Sequence, residues 1–269
     1  AVFEAGISEP EEMKNLQIII KPDIGIFSNI GEAHSENFIN HQQKVGEKLK
    51  LFTHVKTLIY NSDQKQVKEV IIKSGILSGI EAFSWGKQED SNLVIKSIEK
   101  SNKSSLIKAL FESKEIEIEI PFIDDASIEN SIHCWCLMLL LDYDQDFIKS
   151  RMIELSPIAM RLELKEGTNN CTIINDTYNS DFNSLSIALD FLIQQKSPES
   201  SGKKTVVVLS DILQSGKNDV ELYGEVAELI KNKTVDQFIG IGETISKQSD
   251  KFDDNALFRR PEIFQLRDL

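Results

Sequence analysis

The feature that most constrains this chain is a repeated change of hydrophobic period. Short apolar runs alternate with stretches whose apolar residues recur at helical spacing. Ala1–Ala5, Ile24–Asn29 and Thr57–Tyr60 read as strands, and Glu11–Ile20, His41–Val55 and Gln66–Lys73 read as helices. Within the second helix Val45, Leu49 and Phe52 fall on one stripe. Strands that alternate with helices predict a parallel sheet covered on both faces.

The rhythm then changes. Asn92–Lys100, Ser105–Glu112 and Glu115–Pro121 follow one another without helices, which predicts an antiparallel meander. Two helices come next, Ile128–Leu141 and Gln145–Leu155, and Pro157 marks a domain joint. Beyond it Leu162–Glu166 and Cys171–Asn175 flank Gly167-Thr168-Asn169-Asn170, a hairpin signal. Leu185–Gln195 and Asp219–Lys231 read as helices, Lys203–Leu209 and Phe238–Ile241 as strands. The expected architecture is α/β throughout. A first domain spans 1–157, and an incomplete, open, doubly wound (Rossmann-like) domain spans 158–269, its last run Phe264–Leu266 lacking a closing strand and helix.

Composition narrows the function classes. With 269 residues and 41% hydrophobic content the chain can bury one large core or two ordinary ones. A net charge of -13 with no basic patch argues against nucleic acid and anionic membranes as partners. No apolar run approaches the roughly 18 residues of a membrane span. Cys134, Cys136 and Cys171 form no disulfide framework, which predicts a reducing, cytoplasmic setting, with Cys134 and Cys136 as small core hydrophobes. The opening Ala-Val-Phe-Glu-Ala-Gly reads as the middle of a strand, so a fragment is expected.

Ligands of open parallel sheets bind beyond the carboxyl ends of the strands. Three features fall there: Glu4, then Asn29-Ile30-Gly31-Glu32-Ala33-His34, then Asp176-Thr177-Tyr178-Asn179. A carboxylate and an imidazole at neighbouring strand ends could hold a divalent cation, although Mg²⁺ prefers oxygen. On spacing alone the commoner reading of Glu4 and His34 is ordinary polar residues on loops. His41, His54 and His133 lie in no motif and read as structural or solvated.

The same residues carry a resemblance. Phe3-Glu4-Ala5-Gly6, Lys21 to His34, and Glu47-Lys48 resemble the second half of the central ATPase domain of the Mur ligase family, a fold of the P-loop type. Glu129-Asn130-Ser131 resembles the family's helix-starting Asn motif, Met160-Arg161-Leu162-Glu163 its Arg motif at the domain junction, and Asn175 to Asp181 its Asp-Ser-Tyr-Asn-Ala-Asn signature. Val208 to Leu213 is similar to the strand and turn that follow, although Ser210 to Gly216 departs from the usual Gly-Asp-Met-Leu-Glu-Leu-Gly. The Tyr-Asn form of the signature, and the absence of an Asp-Asn-Pro-x-Arg motif, point to the branch that adds D-alanyl-D-alanine. Ile120 to Asp125 and Asn170-Cys171-Thr172 look most like the version fused to an alanine racemase.

The resemblance implies an ATP-dependent ligase that adds D-Ala-D-Ala to a UDP-MurNAc-tripeptide in peptidoglycan synthesis, through an acyl phosphate. Glu4 and His34 would hold Mg²⁺, with Lys48 as a carbamylated organiser or else a solvated helix lysine. Asn130 would read adenine, Arg161 would reach the phosphates, and Asp176 would accept from the ribose hydroxyls, so that ATP bound between the two domains would favour their closure. His34, Lys48 and Arg161 would be the catalytic set. Tyr178 and Asn179 would orient the dipeptide or simply pack, and Arg161 could instead be a surface arginine paired with Glu163. The family's Gly-x-x-Gly-Lys-Thr loop, its UDP-sugar-gripping domain and its closing Lys-Gly-Ser segment have no counterpart in the 269 residues, so this chain alone is expected to be inactive. The rival readings are another amide ligase of the superfamily and a non-catalytic nucleotide-binding module.

Overall fold

The computed structural model describes residues 1–30, 37–101, 103–156, 161–169, 171–178, 180–195, 204–213 and 215–259. They fall into two compact units, one of Ala1–Ile30 and Asn37–Ser156, the other beginning after Ser156.

The first unit is built on one six-stranded sheet. Its strands are β1 (Ile24–Phe27), β2 (Thr57–Asn61), β3 (Glu81–Gly86), β4 (Leu93–Lys100), β5 (Ser105–Phe111) and β6 (Lys114–Ile120), which lie in sequence order. β1 to β4 run parallel, while β5 and β6 turn back as antiparallel neighbours. The helices are α1 (Glu12–Ile20), α2 (His41–Leu49), α3 (Lys65–Ser74), α4 (Asp125–Leu140) and α5 (Gln145–Met152). Every residue of β2 is buried, and the period of two sends its side chains into two different cores. Leu58 and Tyr60 join Met13, Phe27, Val45, Leu49, Phe52 and Ile71, whereas Ile59 joins Trp85, Ile107, Ile132 and Trp135. This is the parallel sheet with both faces covered that the alternating pattern predicts. The stripe Val45, Leu49, Phe52 is buried as read, although α2 ends at Leu49 and tightens into a 3-10 turn over Lys50–Phe52. The ring of Phe52 lies directly over Gly25 of β1, where a Cβ would come within 2.4 Å of it.

Three expectations need correction here. Ala1–Ala5 forms no strand. β1 has only β2 as a neighbour among the described residues, and an apolar run without a backbone partner makes no ladder. β3 escapes the sequence reading because Glu81–Gly86 starts exposed and shows no clear alternation. α4 begins three residues before the expected Ile128, because the Asp124 carboxylate accepts from the Ser127 amide at 2.8 Å and caps the helix there.

In the second unit β7 (Glu163–Glu166) and β8 (Thr172–Asn175) form the expected antiparallel hairpin, with Gly167 N donating to Cys171 O at 2.7 Å. There follow α6 (Phe182–Gln194), β9 (Val206–Ser210), α7 (Asp219–Asn232), β10 (Gln237–Ile241), α8 (Glu243–Lys247) and β11 (Leu257–Arg259). β9, β10 and β11 make a parallel sheet, and Leu185, Leu189, Val207, Leu209, Tyr223, Val226 and Phe238 pack its core. Asp181 and Asn218 cap α6 and α7 through their side chains. β9 starts at Val206, later than the expected Lys203, and α8 and β11 are additions to the sequence reading. Phe264–Leu266 lies outside the described residues. No helix among the described residues is long and apolar enough to cross a membrane.

Candidate active site

The carboxyl end of β1 carries a perturbed group that the sequence singles out. Lys48, in the last turn of α2, donates from Nζ to the Asn29 carbonyl at 3.0 Å and lies 5.3 Å from the centre of the Phe27 ring. It is half-buried, not the solvated lysine of the alternative reading. Burial pulls its amine below the ordinary lysine value; the Lys44 charge adds to this, and the Glu4 carboxylate opposes it. Glu4 is thus close enough to act on Lys48, but it sits on exposed irregular chain, not at a strand end. Lys44 is one turn before Lys48 on the same face of α2, is 3% exposed, and lies 5.8 Å from the centre of the Phe38 ring. The sequence reading passed over it; its spacing of four from Lys48 is the signal that could have found it.

His34 lies outside the described residues, as do Met160 and Asn179. Among the described residues no three His, Cys, Asp or Glu side chains cluster to hold a metal. Asn130 is exposed in the second turn of α4, not at its start. Its neighbour Glu129 is half-buried, and burial first, then the carboxylates of Asp125 and Asp63, holds its pKa above the ordinary value. Asp63 itself turns back to accept from the Lys87 amide at 2.9 Å.

One residue of this unit exceeds its sequence reading. His133 is 3% exposed, and its Nε2 lies 3.2 Å from the Ser28 carbonyl. The Trp85 indole donates to its Nδ1 at 3.1 Å. Burial pushes its pKa down to about 4, against a smaller opposing effect of the Ser28 carbonyl. His41 and His54 are exposed. Of the cysteines read as core, Cys136 is buried beside Trp135, but Cys134 is exposed because positions two apart on a helix point to nearly opposite sides.

In the second unit the residues before β7 and after β8 come together. The guanidinium of Arg161 lies 4.3 Å from the centre of the Tyr178 ring. Arg161 therefore stacks on Tyr178; Glu163 is taken by Lys165 at 3.1 Å and by the Asn175 amide at 3.2 Å. The Asp176 carboxylate accepts from the Leu162 amide at 3.1 Å, which holds the start of β7, where Leu162 has φ 47°. After β9 the turn that departs from the family pattern is held from two sides. Asp211 accepts from the amides of Thr244 and Ile245, and the Ile212 amide donates to the Tyr223 hydroxyl at 3.0 Å.

Ligands of sheets with parallel strands bind beyond the carboxyl ends of those strands, and here a desolvated amine lies beyond one such end with a carboxylate near enough to act on it. The sequence pattern of the Mur ligase middle domain matches residues 1–138, and the chain belongs to the Mur ligase family. It is similar to the UDP-N-acetylmuramoyl-tripeptide--D-alanyl-D-alanine ligases of Buchnera aphidicola subspecies Baizongia pistaciae, with 26% identity over 92% of this chain and 52% of the relative, and of Bacillus subtilis, with 24% identity over 90% and 51%. The chain thus spans about half the length of the curated relatives it matches. In fold it is similar to crystal structure I of MurF from Acinetobacter baumannii, with a TM-score of 0.81 at 18% identity over 99% of this chain and 57% of that one. The MurF ligase of Thermotoga maritima in complex with ADP superposes with a TM-score of 0.75 at 16% identity, over 97% of this chain and 58% of that one.

Proposed function

We propose that this chain is part of an ATP-dependent ligase that adds D-alanyl-D-alanine to a UDP-MurNAc-tripeptide in peptidoglycan synthesis. The observation that carries the reading is the extent of the likeness. Relatives named for this reaction align over about nine tenths of the chain, through both units and not only the middle domain. On this reading residues 1–157 are the later part of the central ATP-binding domain and 158–269 belong to the C-terminal domain.

The reaction joins a carboxylate to an amine. The carboxylate takes the γ-phosphoryl group of ATP to give an acyl phosphate and ADP; the dipeptide amine then attacks, the amide forms, and inorganic phosphate leaves. The difficulty is charge, since a triphosphate must approach a carboxylate. Arg161, with its planar guanidinium held against Tyr178, suits phosphate oxygens. Asp176 would accept from the ribose hydroxyls and Asn130 would read the adenine edge. Lys48 fits conversion to a carbamate, because that step needs a neutral amine and burial favours one. With Glu4, and with His34, a carbamate would offer the oxygen-rich donors that Mg²⁺ takes. Bound there, the metal supplies charge neutralisation at the phosphates. Tyr178 and Asn179 would orient the incoming dipeptide. The reaction draws on ATP and a UDP-linked precursor, which places it in the cytoplasm. An alanine racemase carried on the same polypeptide fits the branch that the sequence resembles.

The test is phosphate release by the full-length protein with ATP, Mg²⁺, the UDP-linked tripeptide and a panel of amino substrates. Release that requires both the tripeptide and D-Ala-D-Ala is expected, with the pentapeptide product seen by mass spectrometry. Preference for another amine, or no product with any, overturns the reading. Alanine racemisation by the same preparation tests the fused domain.

A further inference from the structure

His133 is a buried titratable group that the proposed reaction does not use, yet both of its ring nitrogens are engaged. An indole N–H can only donate, so Nδ1 of His133 accepts from Trp85. The ring proton is therefore on Nε2, and a carbonyl can only accept, so Nε2 donates to Ser28 O at 3.2 Å. The partners alone fix the tautomer. They also belong to strands that do not touch: Ser28 follows β1, Trp85 is in β3, and β2 lies between. Two strand spacings amount to roughly 10 Å. A single imidazole from α4 spans that gap beyond the strand ends.

What it meets is the segment after β1 whose next carbonyl receives Lys48. The ladder of β1 ends at Phe27 opposite Tyr60, so Ser28 and Asn29 have no strand partner. The Ser28 carbonyl is met by His133 and, at 3.5 Å, by the Gln64 side-chain amide. The next carbonyl, that of Asn29, receives the Lys48 amine. We propose that His133, backed by Trp85, is a positioning residue: it pins the Ser28 carbonyl and so sets the segment after β1 from which Asn29 presents its carbonyl to Lys48. The proposal rests on the reading of Lys48 as part of a ligase site. The lowered pKa of His133 is consistent with it, since the pin needs a neutral ring and burial keeps it neutral near pH 7.

The test uses the full-length protein with His133→Leu, which removes both hydrogen bonds, and His133→Gln, whose amide can still donate to Ser28 O. Trp85→Phe removes the donor that fixes the tautomer. In His133→Leu, turnover should fall by roughly tenfold, the worth of one good hydrogen bond, with the KM for the dipeptide little changed. Amide exchange of the segment holding Ser28 and Asn29 should quicken while β5 and β6 keep their protection. His133→Gln should restore much of both, and Trp85→Phe should fall between. Wild-type turnover and wild-type exchange in His133→Leu overturn the proposal. If that variant does not fold, the ordering of the other two decides: His133→Gln no better than Trp85→Phe in either readout overturns it. A wild-type protein without ligase turnover overturns the functional reading alone, and the exchange of the Ser28 segment then decides the pin.

Discussion

A side chain that can take a proton only when the chain is unfolded makes stability depend on pH, and His133 is such a group. Its ordinary pKa of 6.5 drops to about 4 in the folded unit because burial disfavours the imidazolium. Above about pH 6.5 neither state binds the proton and the full stability is present. As pH falls from there toward about 4 the unfolded chain binds it and the folded chain does not, a loss on the order of 3 kcal/mol that levels off below. Denaturant unfolding at several pH values should show a shallower acid slope in His133→Gln than in wild type; equal slopes would remove the assignment. On the proposed ligase reading, Arg161→Ala in the full-length protein should lower kcat by about 10- to 150-fold, the worth of a charge-assisted hydrogen bond to phosphate. Arg161→Lys should recover only part of this, because a point charge does not reproduce a planar fork. Unchanged turnover with a slightly lower Tm would return Arg161 to the surface. Lys48, Asn130, Arg161 and Asp176 can be named as candidates from their motifs alone. Their surroundings were not: nothing near Arg161 in sequence announces the Tyr178 ring, and His133 takes its two partners from 48 and 105 residues away.

Elements are legible where their period is strong and their partners lie within the chain. α1, α3, the meander and the β7–β8 hairpin all appear within a few residues of where alternation and turn chemistry put them, and α2 starts where expected but ends at Leu49, short of Val55. Ala1–Ala5 fails because a strand is a property of a pair; β3 was missed because it shows no clear alternation, and β11 because a strand of three residues acquires its character from its neighbours. Two contacts between elements can be tested. A methyl group at Gly25 would press into the Phe52 ring at 2.4 Å, so Gly25→Ala should lose about 1–3 kcal/mol of stability. Phe52→Leu should relieve part of that loss in the double variant, and strict additivity would show that the ring is not the cause. Tyr223→Phe leaves the buried Ile212 amide without its acceptor and should cost about 1–3 kcal/mol. Quickened amide exchange confined to the turn after β9 is the expected signature; an unchanged melting temperature speaks against it.

At the scale of the whole chain the absence of a Gly-x-x-Gly-Lys-Thr run in these 269 residues sets a limit. The backbone amides and lysine of such a loop cradle the β- and γ-phosphates. These residues expressed alone should release no phosphate from ATP, and substrate-dependent release from them would falsify that expectation. The six-stranded sheet has a further consequence, in the order of its assembly. Its antiparallel part is knitted from neighbours in sequence, with seven residue pairs joining β5 to β6, whereas β3 meets β4 through only Trp85↔Leu93 and Gly86↔Val94. Hairpins close in roughly microseconds, while parallel strands wait for their crossover helices. The meander, to which β3 is joined by only residues 87–92, is therefore the expected early seed, and the slower pairings are β1 with β2 and β2 with β3, each across a crossover helix. Trp85 is both a rung between β3 and β4 and the donor behind His133. The anchor of the segment after β1, which joins Ser28 to His133 across 105 residues, is thus expected to form only once those crossovers have closed.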